Sequence, residues 1–180
     1  LFKLKRILFM KLLLIILFSF LSFFKAYSSE NINDIKSLFE GRYELVYWEQ
    51  DNLKFNYPQI AGTLVVNNGK ISFTLDSNMN NNETIKIIGW GKYNLSPKEY
   101  NYGYFDFKKM TDNGRDMKVN NSLPWKGMRK YSVSLKNSKL VLTSETGKQT
   151  WKLDKESLLY TDKEWGEDKK EVIRYWKRIE

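Results

Sequence analysis

Two residue types missing from this chain decide most of the chemistry open to it. It contains neither His nor Cys. Without imidazole, the commonest general base and metal ligand is gone and a Ser–His–Asp arrangement is excluded. Without thiolate, zinc, iron–sulfur and disulfide chemistry lose their usual ligands as well. No glycine-rich phosphate loop is present, since the glycines of GWGKYNL (89–95) are spaced as in a bent strand. No cofactor and no metal is therefore expected. Carboxylate, Tyr, Lys and Arg chemistry remains, and two places could use it. Asp106 lies between Phe105 and Phe107 in YFDFK (104–108). Facing a pocket, it would be desolvated into an acid or base with a raised pKa; with both Phe inward, alternation turns it to water. Arg129 and Tyr131 in GMRKY (127–131) share a face, and Arg plus Tyr is a carboxylate-binding pair. The opposing reading is an ordinary surface Arg. DKEWGEDKKE (162–171) lacks the ordered oxygens of a calcium loop and reads as solvated.

The elements that must position these residues are strands. ENINDIKSLF (30–39) has Ile32, Ile35, Leu38 and Phe39 at helical spacing and predicts a short helix. From Gly41 onward the period is two. Strands are predicted at 41–49, 60–66, 70–76, 83–95, 100–108, 126–136, 139–145, 148–154, 157–161 and 171–179, with polar loops at 76–83, 110–124 and 164–170. Asn68-Gly69 marks a tight hairpin, and Gly89 and Gly91 allow a bend or bulge. Pro58, Pro97 and Pro124 all fall between predicted strands, as they must. Within 41–49, strict alternation puts Tyr43, Leu45 and Tyr47 on one face and Val46 and Trp48 on the other. Both faces are apolar, so both need cover. Residues 29–180 carry 6 Trp, 10 Tyr and 5 Phe, most of them in strands. A dry core favours Leu, Ile and Val, whereas buried Tyr brings a hydroxyl that needs a partner, which a polar-spotted pocket supplies.

The head of the chain has its own logic. Lys3, Lys5, Arg6 and Lys11 precede an apolar run over 12–24, which is too short to span a bilayer and suits a signal-peptide core. Ala26 and Ser28 fit a cleavage after Ser28, and Met10 would serve as an alternative start. The expectation is a signal peptide over 1–28, one barrel domain over 29–180, and a periplasmic or secreted product. Five of the 30 Lys and Arg lie in 1–28 and none of the 21 Asp and Glu does, so 29–180 carries only +4. That residual charge suits a solvated surface or a peripheral membrane contact; nothing supports nucleic-acid binding.

Ten short strands in sequence order predict an all-β, antiparallel up-and-down barrel of about 8–10 strands. LFEGRYELVYWE (38–49), AGTLVVNNGKISFTL (61–75), GKYNL (91–95), RKYSVSLKNSKLVLTS (129–144) and RYWKRI (174–179) resemble, in order and spacing, the bacterial lipocalin-like domains, small barrels of the calycin type. That resemblance implies a Gly-x-Trp position on the first strand, occupied here by Tyr43, with Arg174 or Arg178 of the last strand packed on the ring. It also implies a small hydrophobic ligand such as a fatty acid, terpenoid or lipid. The lining expected from alternation and from this likeness is Tyr43, Phe73, Trp90, Tyr93, Tyr104, Arg129, Tyr131 and Trp151. Two alternatives stay open: a barrel enzyme of isomerase, cyclase or hydratase type using Asp or Glu with Tyr, and a filled barrel with an envelope structural or interaction role.

Overall fold

Period-two patterning becomes strand almost everywhere it occurs. In the computed structural model, which describes residues 32–80, 83–166 and 168–180, a helix covers residues 32–39. The strands are β1 (Gly41–Gln50), β2 (Leu53–Asn56), β3 (Ile60–Asn67), β4 (Lys70–Asn80), β5 (Glu83–Leu95), β6 (Glu99–Asp112), β7 (Met117–Asn120), β8 (Arg129–Lys136), β9 (Lys139–Ser144), β10 (Gln149–Leu153), β11 (Ser157–Trp165) and β12 (Lys170–Arg178). The expected signal segment over 1–28 lies outside the described residues.

Ten of these strands form one closed antiparallel ring, each paired with its sequence neighbour, and β12 returns to pair with β1. Closure removes the sheet edges that would otherwise need protection. The tight turn at Asn68-Gly69 has φ of +46° and +79°, as a primed hairpin turn requires. The two strands outside the ring, β2 and β7, extend β1 and β6 as hairpin arms. Neither was predicted. They are four residues long and mostly or wholly exposed, so they have no apolar face for alternation to show. Two predicted loops are shorter than expected, because β4 runs on to Asn80 and β11 to Trp165.

The ladders shift register at four places among the described residues, and the breaks on β1 and β6 bear on the interior. On β1, Leu45 pairs with Trp176 but Tyr47 pairs with Tyr175, so Val46 is the extra residue and is 40% exposed. Downstream of it the faces exchange. Trp48 turns inward, while Tyr47 turns outward to stack on Tyr175 at 5.4 Å under the Lys54 ammonium. The expectation that Tyr47 shares the face of Tyr43 and Leu45 is corrected by that extra residue. On β6, Trp90 pairs with Asp106 and Gly91 with Tyr104, which leaves Phe105 unpaired and 64% exposed. Asp106 is likewise exposed and Phe107 half-buried. Asp106 thus faces water, as expected, but because of the bulge: unbroken alternation from Tyr104 would have brought it in.

The lower half of the barrel is solid. Tyr43 donates its hydroxyl to the Leu38 and Phe39 carbonyls at 3.1 and 3.0 Å, at the end of the helix. Arg178 donates to the Ser37 carbonyl at 3.0 Å and to the Glu40 carbonyl, with its guanidinium 5.4 Å from the Tyr43 ring. Helix-terminal carbonyls are orphan acceptors that carry partial negative charge, and a guanidinium answers both needs. Tyr43 and Arg178 are also register partners, so the same contact joins first strand to last. Of the two arginines proposed for this latch, Arg178 performs it. The cation–π part is worth about 0.5–2 kcal/mol. Phe39 then plugs the end, its ring 5.2 Å from Tyr93 and 4.8 Å from Tyr100, and Tyr93 donates to the Glu40 carboxylate at 2.6 Å.

Candidate functional site: an aromatic cavity in the upper barrel

β6 carries the interior from solid to hollow. Tyr100, Tyr102 and Tyr104 point inward at successive levels, with Tyr100 stacked on Tyr102 at 5.5 Å and Tyr102 edge-on to Tyr104 at 5.8 Å. Tyr100 is sealed against the Phe39 plug. Tyr102 packs on Tyr131 and Trp151 in the middle layer, at 5.8 and 5.7 Å. Tyr104 faces a cavity of about 490 Å³, within the range of small-ligand pockets.

Apolar and aromatic side chains form most of the cavity wall. Leu64, Phe73, Leu75, Ile87, Tyr102, Tyr104, Phe107, Trp151 and Trp176 come from strands of the ring. Gly89 makes room for Phe73, since a Cβ at that position would come within 2.4 Å of its ring. Pro124 and Trp125 enter from the loop between β7 and β8, with Trp125 4.8 Å from Tyr104 and 5.4 Å from Tyr102. That loop covers a stretch where β6, paired with β5 on one side, lacks a neighbour on the other, because β8 pairs only with Glu99–Tyr102 and β7 only with Lys109–Asp112.

A polar chain runs up one side. Arg129 lies 3.8 Å over the Trp125 ring and donates Nη1 to Gln149 Oε1 at 3.2 Å. Tyr131 donates to the same oxygen at 2.6 Å, and Gln149 passes the chain on by donating Nε2 to Asp162 Oδ2 at 2.7 Å. Asp162, only 3% exposed, also accepts the Tyr160 hydroxyl at 3.0 Å and the Glu164 amide at 3.0 Å. Each member orients the next, which fixes the Gln149 amide with its oxygen toward Arg129.

Opposite elements bring in Arg174. Its guanidinium lies 4.0 Å from the Trp48 ring, 4.2 Å from Trp165 and 5.1 Å from Tyr160. Trp48 and Trp165 meet edge to face at 5.7 Å, so the cation sits in the corner between them. Arg174 Nε and Nη2 are buried without a hydrogen-bond partner, as are the ring nitrogens of Trp48, Trp125 and Trp151. Burial pushes the Arg174 pKa down, while Tyr160, Tyr104 and Asp162 push it back. Burial likewise holds the Tyr102, Tyr104 and Tyr160 hydroxyls protonated far above their ordinary range. Tyr131 is raised as well, by burial first, with hydrogen bonding and Arg129 opposing. At neutral pH the site offers neutral tyrosines and fixed cations, and no tyrosinate. No cluster of three or more metal-ligating side chains occurs among the described residues.

Of the eight residues expected to line a pocket, Phe73, Tyr104, Arg129 and Trp151 meet at this cavity. Tyr131 is fully buried beside it and reaches it through Gln149. Tyr43 and Tyr93 belong to the closed end, where the helix takes their hydroxyls. Trp90 stands outside the barrel, 40% exposed, in a shallow surface hollow with Val65 and Phe105. It pairs at the β6 bulge, and the residues facing inward on either side of it are Gly89 and Gly91, both buried.

Trp125, Gln149, Asp162 and Trp165 were missed. Asp162 was legible, because Leu158, Tyr160 and Asp162 alternate inward along β11. The reading of 162–171 as a solvated loop is corrected there by the strand's greater length. Trp125 gave no such signal, since a loop has no period.

Compared with protein-family models, with curated proteins and with solved structures, the chain finds no match. The class rests on the fold of the described residues: a closed ten-stranded antiparallel barrel with one short helix, consistent with a calycin-like small barrel.

Proposed function

We propose that the protein binds one small, predominantly apolar molecule in the upper half of its barrel, in the manner that a lipocalin-like resemblance implies. The observation that carries this reading is the division of the interior. Below Tyr102 the barrel is filled by its own rings and capped by a helix; above it lies a cavity of about 490 Å³ walled by Leu, Ile, Phe, Tyr and Trp. Removing apolar ligand surface from water there is worth about 25 cal/mol per Å² before the costs of association. Rigid aromatic walls hold those costs down, because little side-chain freedom is left to lose.

The signal-like head supports an exported site of action, in the periplasm or beyond, and residual basicity over 29–180 would suit peripheral contact with an anionic membrane. Among the cavity's carboxylates, Asp162 is the buried one, and its oxygens already accept three hydrogen bonds. Its engagement as a structural acceptor supports a carrier over a barrel enzyme that needs a free acid or base.

Native mass spectrometry of protein purified from its own host tests the reading. An apolar adduct released by mild organic solvent is the expected result. A clean apo mass under gentle ionisation, together with no displacement of a fluorescent fatty-acid analogue, would overturn it.

A further inference from the structure

We infer that the cavity selects a ligand with a carboxylate head, and that Arg174 is the residue that recognises it. This rests on the binding role just proposed and names the chemical class of the ligand.

A guanidinium carries five N–H donors in its plane. Stacking on Trp48, Trp165 and Tyr160 stabilises the charge through the ring faces, yet a ring face accepts no strong in-plane hydrogen bond. Nε and Nη2 of Arg174 have no other partner. The one buried carboxylate nearby, Asp162, supplies field but no contact, because Tyr160, Gln149 and the Glu164 amide occupy it. Buried cations are ordinarily paired, and those that are not pull strongly on an incoming anion.

Arg178 shows that this chain can satisfy a guanidinium on the same strand face. It gives that residue three carbonyl acceptors, from Ser37, Glu40 and Glu180. Arg174 gets none. The balance of charge at the cavity, with Asp162 opposing, is positive. Arg129 and Lys109 also line it, and Glu164 is neutralised by an ion pair with Lys148. Tyr104 lies in the field of both Arg174 and Arg129, which places a neutral hydroxyl donor on the same wall. A carboxylate on an apolar body matches this arrangement: the body against Phe73, Leu75 and Ile87, the head toward Arg174.

Isothermal titration calorimetry with dodecanoate, its methyl ester and acetate tests the assignment. Wild-type protein is expected to bind dodecanoate about tenfold to a hundredfold more tightly than the ester, and acetate not at all. Arg174→Gln should erase the preference for the acid, bringing acid and ester within about twofold of each other. Arg174→Lys, which keeps the charge without the planar fork, should retain part of it. Equal binding of acid and ester by wild type overturns the inference and leaves the proposed function standing. So does an unchanged preference in Arg174→Gln. Binding of neither acid nor ester overturns the proposed function and this inference with it. Acetate binding as tightly as dodecanoate would mark a bare anion site and overturn the amphipathic assignment. If Arg174→Gln fails to fold, the wild-type comparison still decides the carboxylate preference and Arg174→Lys its assignment to Arg174.

Discussion

Arg174 and Arg178 stand four residues apart on one face of β12, and their surroundings are opposite. Arg178 meets the end of a helix, whose orphan carbonyls take its donors, and Tyr43 takes its face. Arg174 meets three aromatic rings and no acceptor for Nε or Nη2. The residue type is the same, so the difference lies in what the rest of the chain brings to each level of the barrel. At the lower level it brings a plug, and the cation becomes structural. At the upper level it brings walls without a floor of acceptors, and the cation is left available. A charged side chain in a barrel interior is thus best judged by its donors, counted one by one, and not by its burial.

The largest expected effect tests what the two levels share. Tyr43 below is pushed up to about 12 by burial, and Tyr104 and Tyr160 above are raised by the same cause. An unfolded tyrosine titrates near 10, so the folded state holds its proton more tightly. Stability from this source is complete below about pH 10 and falls as pH rises toward 12, by up to about 1.4 kcal/mol per pH unit for each such tyrosine. Denaturant midpoints against pH, read beside tyrosinate absorbance, should show cooperative alkaline unfolding with the buried phenols ionising only as the fold is lost. Free ionisation near pH 10 in a still-folded barrel would break the claim at both levels.

Phe39→Ala comes next. It empties the plug between Tyr93 and Tyr100 and should cost about 3–5 kcal/mol in urea unfolding, while the upper cavity keeps its shape. Arg178→Met is expected to cost about 1–3 kcal/mol, because the helix-terminal carbonyls lose their donors. Arg174→Met should change stability by less than about 1 kcal/mol in either direction, since removing an unpaired buried cation relieves desolvation as it forfeits ring contacts. The contrast between these two substitutions is the sharpest form of the comparison. If Arg174→Met proved as costly as Arg178→Met, the upper arginine would be structural after all.

Much of the barrel was legible because alternation is a local property. KISFTLD has Ile71, Phe73 and Leu75 on one side and polar residues on the other, and β4 forms over that stretch and continues to Asn80. Asn68-Gly69 announces its own turn, and Arg129 and Tyr131 were rightly placed on one face because no bulge lies between them. The site was half legible. Phe73, Tyr104, Arg129 and Trp151 reach the cavity, whereas Tyr43 and Tyr93 lie on the correct face at the wrong height. Period two says which way a side chain points, and says nothing about how far along the barrel axis a helix fills the space.

Trp48 shows the harder limit. GRYELVYWE is apolar on both faces, so the local sequence is nearly indifferent to where an extra residue is inserted. Ring closure is not indifferent: β1 pairs with β3 over Gly41–Glu44 and with β12 from Tyr43 to Gln50, and the β12 ladder continues beyond Leu45 with Val46 ejected. The Phe105 bulge does the same on β6, keeping Asp106 out, whereas Trp90 is outside by plain alternation on β5, where Gly89, Gly91 and Tyr93 face in.

By itself the sequence determined an all-β chain, its hairpins, an aromatic interior, and the exclusion of imidazole and thiol chemistry, since these follow from residue type and near-neighbour spacing. Tertiary structure alone decided which rings became plug and which became wall, which arginine was satisfied, and where alternation broke. Those outcomes depend on closing ten strands at once around a helix that fills only one end, a condition that no short stretch of chain can express.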